Sequence, residues 1–84
     1  MATMRIVVER NFAEPQSDAD MAAVANRERS CLEIHRVTWK RSLLSQDRRR
    51  LVCEYEAPDA ESVRRVQREA DAAFDRIWLA QVIE

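Results

Sequence analysis

The stretch CLEIHRVTWKRS, residues 31–42, sets Cys31 four residues before His35, the chain's one histidine, with Trp39 and Arg41 following closely. On a helix an i,i+4 pair lies on one face, so thiol and imidazole point the same way. Glu28 precedes them by one helical turn, and Cys53 and Tyr55 alternate in CEYEA as neighbours on one strand face do. One imidazole, two thiols and a carboxylate form a donor set for nickel, zinc or copper rather than for magnesium or calcium. In that reading His35, Cys31 and Cys53 are candidate metal ligands. Glu28 is an oxygen ligand or the group that orients the imidazole.

The same side chains support a catalytic reading, with His35 as general acid or base oriented by Glu28 or Arg41 and Cys31 as nucleophile. No Ser-His-Asp arrangement and no oxyanion-donor motif accompanies them. Each residue also has a structural reading. Glu28 and Arg41 can be a buried ion pair, and His35 can cap a helix C-terminus. Cys31 and Cys53 can be small buried hydrophobes, and Trp39 and Tyr55 a cross-strand aromatic pair.

Composition narrows the setting. The chain has 84 residues, 46% hydrophobic and 35% charged, with a net charge of −1 and no glycine. This is the composition of one small globular domain spanning 1–84, marginal enough alone that a partner subunit is expected. Charges of both signs are mixed, so no nucleic-acid footprint is expected. Arg48-Arg49-Arg50 reads as a solvated turn. Without glycine no phosphate-cradling loop can form, and no nucleotide cofactor is expected. No apolar run approaches the ~20 residues of a bilayer span, so no membrane partner is expected. Nor is there a secretory pattern at the N-terminus, which predicts a cytoplasmic protein with reduced thiols.

The elements that must position these residues follow from periodicity. MRIVVE (4–9) reads as a strand; Ser17 caps a helix over residues 18–35; 36–44 and 49–56 read as strands. Asp59 caps a second helix whose buried stripe is Val63, Val66, Ala70 and Ala73, and 74–83 reads as a last strand. The order βαββαβ predicts a ferredoxin-like α+β fold, with a four-stranded antiparallel sheet and two helices on one face. The apolar arc of the first helix is centred on Glu28 and His35, with Cys31 at its edge. A hairpin loop centred on Asp47 pairs Trp39 with Tyr55, Arg41 with Cys53 and Leu43 with Leu51, and on the other face Lys40 with Glu54 and Thr38 with Glu56. Glu28, Cys31, His35, Arg41 and Cys53 then share one pocket. The last strand is apolar on both parities, which predicts a homodimer through the outer sheet face.

Four stretches carry a resemblance: Val8-Glu9-Arg10, residues 31–42, CEYEAPDAESVRR at 53–65 and DRIW at 75–78. They are similar to a family of small bacterial proteins, long catalogued as a domain of unknown function and labelled nickel-binding. The matching positions are Cys31, His35, Trp39, Arg41, Cys53, Tyr55 and Glu56. The resemblance implies a ferredoxin-like fold, a homodimer and nickel binding in sequestration. The leading expectation is therefore a non-enzymatic, dimeric transition-metal binding protein. A small isomerase or cofactor-free oxygenase with a pocket at His35, Glu28 and Trp39 is the alternative, and a dimerisation module without chemistry is the third reading.

Overall fold

The computed structural model describes residues 2–84. Its elements are β1 (Met4–Asn11), α1 (Asp18–Ile34), β2 (Thr38–Leu44), β3 (Arg50–Ala57), α2 (Ala60–Glu69) and β4 (Arg76–Ala80). The strands form one sheet in the order β2-β3-β1-β4, with every neighbouring pair antiparallel. This is the ferredoxin-like α+β arrangement that the element order predicts.

Ser17 and Asp20 start α1 with a capping box, each side chain accepting from the other's backbone N–H. Asp59 accepts from the Ser62 backbone N–H to start α2. Both helices end in the same way without glycine. At the end of α1 the Val37 N–H bonds the Leu32 carbonyl and the Arg36 N–H bonds that of Glu33; at α2, Ala72 bonds Gln67 and Asp71 bonds Arg68. These are Schellman closures, and they require a left-handed residue at their turning point. Arg36 (φ 58°) and Asp71 (φ 53°) occupy it, at a cost of ~1 kcal/mol each relative to glycine. The Arg36 turn is why β2 begins at Thr38 rather than at 36.

The inner face of the sheet carries Ile6 and Val8 from β1 and Leu51, Cys53, Tyr55 and Ala57 from β3, packed with Val63 and Val66 of α2. Ile6, Val8, Val63 and Val66 are fully buried, each contributing about 1.5–3 kcal/mol through burial. Ala73, expected on the α2 stripe, is exposed past the helix end, and Ala72 is buried instead.

The β2–β3 register departs from expectation at one point. Trp39 pairs with Tyr55 and Thr38 with Glu56, as predicted. Between Trp39 and Arg41 the ladder then shifts at a bulge, so Arg41 faces Glu54, Ser42 faces Cys53, and Leu44 faces Leu51. The extra residue turns Arg41 to the outer face, where its Nε donates to Glu54 Oε2 at 3.0 Å. Arg5 Nη1 donates to the other oxygen of Glu54 at 2.6 Å. The bulge thus keeps a second guanidinium off an inner floor that already holds one.

Candidate functional site

That guanidinium belongs to Arg10, at the end of β1 and only 3% exposed. Its Nε donates to the Ala73 carbonyl at 3.1 Å, its Nη1 to Cys53 Sγ at 3.1 Å, and its Nη2 to Gln67 Oε1. Nη2 also lies 3.5 Å from Glu28 Oε1. Glu28 is the one buried residue of α1, and the buried Tyr55 hydroxyl donates to its Oε1 at 3.0 Å. The network continues to the surface: Ser42 Oγ donates to Cys53 Sγ at 3.1 Å, and Trp39 Nε1 donates to Ser42 Oγ at 2.9 Å.

Electrostatics here follow from burial and charge balance. Burial opposes the Arg10 charge, but Tyr55, Cys53 and Glu28 outweigh it, and the pKa lies above its ordinary value. Burial pushes the Tyr55 phenol well up, with Cys53 and Glu28 adding to it. Tyr55 is therefore a permanent donor toward Glu28 at neutral pH.

Above this floor, between α1 and the sheet, lies a cleft of about 620 Å³. Its walls are apolar, with Phe12 and Leu51 below and Met21, Val24, Ala25 and Leu32 of α1 above. Trp39 stands at its mouth, and Arg10, Glu28, Cys53 and Tyr55 form its polar part.

The residues singled out from the sequence are thus divided among four places. Glu28, Trp39, Cys53 and Tyr55 share the cleft. Arg41 lies on the outer face with Glu54. Cys31 packs against the core as a partly buried hydrophobe, its Sγ 3.8 Å from the Arg27 carbonyl. His35 caps α1 and turns to α2, its Nε2 lying 2.5 Å from Glu69 Oε2. The single pocket of five is corrected accordingly: the bulge removes Arg41, and Glu69 holds His35. Among the described residues no group of three or more His, Cys, Asp or Glu side chains is close enough to hold a metal ion. Cys31, His35, Cys53 and Glu28 therefore do not surround one ion within a single chain. Nor does His35 line the cleft beside Glu28 and Trp39, so the acid–base arrangement considered from the sequence is not assembled there.

Sequence reasoning missed Arg10 and Gln67. Both carried a signal. Arg10 continues the inner parity of Ile6 and Val8, and Gln67 sits among Val63, Val66 and Ala70 at core spacing on α2.

No helix of the described residues is long and apolar enough to cross a membrane. A crystal structure of SCO4226 from Streptomyces coelicolor A3(2) shares the fold with a TM-score of 0.84 at 15% identity, over 95% of this chain and 99% of that one. No curated protein matches the sequence. Residues 7–79 match the family described as "Nickel responsive protein SCO4226-like", a span that holds all four of the resembling stretches whole. The chain belongs to the SCO4226-like family of small ferredoxin-like proteins.

Proposed function

We propose that this chain is a non-enzymatic, dimeric binding protein for nickel or a similar transition-metal ion, acting in sequestration, and that it takes up the ion at His35 and Glu69. The observation that carries this reading is the pairing of the one imidazole with a carboxylate at 2.5 Å, on two different helices. Glu69 is half exposed, so a small outward movement of its side chain admits an ion between the two. Imidazole with carboxylate suits nickel, zinc or copper, and the family description supports nickel among them. One chain supplies two donors; water and a second copy are the sources of the rest. The outer sheet face is the proposed dimer contact, since Leu43 and Trp78 remain about half exposed there beside Val7.

Because His35 closes α1 and Glu69 ends α2, an ion held by both ties the two helices together. Calorimetric titration of the full chain with nickel chloride tests the reading. Wild type is expected to bind saturably, His35→Ala to lose at least about tenfold in affinity, and Cys31→Ser to bind as wild type. Equal uptake by wild type and His35→Ala removes His35 from the site. Loss in Cys53→Ser with His35→Ala unaffected places the ion in the cleft instead.

A further inference from the structure

We infer that the cleft between α1 and the sheet is a binding site for a small, uncharged, ring-containing molecule bearing a hydrogen-bonding oxygen, of the phenol or aromatic-ketone class. This is separate from the metal reading, since neither His35 nor Glu69 lines the cleft.

Three observations carry it. The first is the volume, about 620 Å³, which lies within the range of pockets that enclose drug-sized ligands, roughly 300–1,000 Å³. It exists because α1 does not close on the sheet. Met21, Val24 and Leu32 are only half buried, and Ala25 is exposed although it faces the cleft. The helix stands on one buried carboxylate, Glu28, as on a peg, and leaves apolar surface uncovered beside it.

The second observation is the chemistry of the floor. The Arg10 charge is balanced by Glu28 at 3.5 Å and engaged by Cys53, Gln67 and the Ala73 carbonyl. An anionic ligand would have to displace Glu28 from Arg10, and a cationic one would have to displace the Tyr55 hydroxyl from Glu28. Either exchange leaves a buried charge short of a partner, which is costly. A neutral molecule disturbs neither pair. Its oxygen can meet the Ser42 hydroxyl or the Tyr55–Glu28 hydrogen bond, all of which line or border the cleft.

The third observation is the mouth. Trp39 is 54% exposed, yet its indole is fixed by the hydrogen bond from Nε1 to Ser42 Oγ at 2.9 Å. An exposed aromatic ring held in one orientation is a stacking surface for a planar ligand, at little entropic cost.

The test uses the full chain in the presence of EDTA, which removes metal from the comparison. N-phenyl-1-naphthylamine, a neutral two-ring probe, is titrated in the Trp78→Phe background so that Trp39 is the one indole reporting. Expected are saturable probe fluorescence with matching quenching of Trp39 and competition by 2-naphthol. The anion 1-naphthoate should compete at least about tenfold less well. Ala25→Phe places a ring in the cleft from an exposed helix position without adding an indole, and should weaken probe binding at least about tenfold, with circular dichroism unchanged. Ile83→Ala, exposed and outside the cleft lining, should leave binding as it was. Unsaturable binding, binding unaffected by Ala25→Phe, loss on Ile83→Ala, or naphthoate competing as well as naphthol would each overturn the inference.

Discussion

The two helices lie over the same sheet and are held to it by opposite means. The α2 helix seats Val63, Val66 and Ala70 in the core. The α1 helix is longer, 17 residues against 10, and seats no apolar side chain fully. Met21, Cys31 and Leu32 pack against the core only in part, and the directional attachments are polar: Glu28 to Tyr55 and Arg10, Arg27 Nε to the Ala70 carbonyl at 2.7 Å, and His35 to Glu69. An apolar seam is non-directional and hard to open. Polar tethers are directional, exchangeable with water, and worth little net unless buried. The difference teaches that α2 belongs to the permanent core, while α1 is a cover whose position depends on a few named bonds. Both proposed binding events act on that cover, one at its C-terminal end and one beneath it.

The comparison is broken most severely at the peg. Arg10→Met leaves Glu28 buried without its cation and should cost about 3–5 kcal/mol in urea denaturation. Adding Glu28→Leu should recover much of that loss, because an apolar pair substitutes for the ion pair. If the double variant stays as unstable as the single one, the peg is not what Arg10 supports. Next in size is the contrast between seam and cover. Val66→Ala should cost about 2–3 kcal/mol, and Val24→Ala less than about 1 kcal/mol. Similar losses at the two positions would mean that α1 packs as tightly as α2.

A third prediction weakens the sheet beneath both helices and leaves their tethers alone. Hydrogen bonds from Arg41 and then Arg5 hold the Glu54 carboxyl below its ordinary range. A carboxyl depressed in the folded state contributes stability that is present above its unfolded value, about 4.3, and is lost as pH falls through the folded one. Glu54→Gln should therefore lower the melting temperature at neutral pH and flatten its decline below about pH 4. An unchanged acid limb would show that Glu54 is not linked to folding. The smallest effect is at the end of α1: Arg36→Gly relieves the left-handed turn and should add up to about 1 kcal/mol.

Much of this architecture was legible in residues 1–84 because patterning states it directly. Ser17 and Asp59 mark the helix starts, and the parity of Ile6, Val8, Leu51 and Tyr55 marks the inner face. The family resemblance in CLEIHRVTWKRS and CEYEAPDAESVRR holds. The site was read less well, for two physical reasons. A bulge has no periodicity of its own, so nothing between Trp39 and Arg41 announced that Arg41 would turn outward. Reading the first strand as ending at Glu9 also stopped it one residue short of Arg10, and so left the true cation out of the floor. Long-range partners such as His35 with Glu69, 34 residues apart, depend on how the helices cross, which spacing along the chain does not encode.

Native-state hydrogen exchange, resolved by residue with and without nickel chloride, tests the central claim most directly. Without metal, α1 amides should exchange by local opening well below the global unfolding free energy, and α2 amides only through global unfolding. Nickel should slow α1 in wild type and leave it unchanged in His35→Ala. Exchange of α1 and α2 through the same global opening, or nickel protection that survives His35→Ala, would contradict the account.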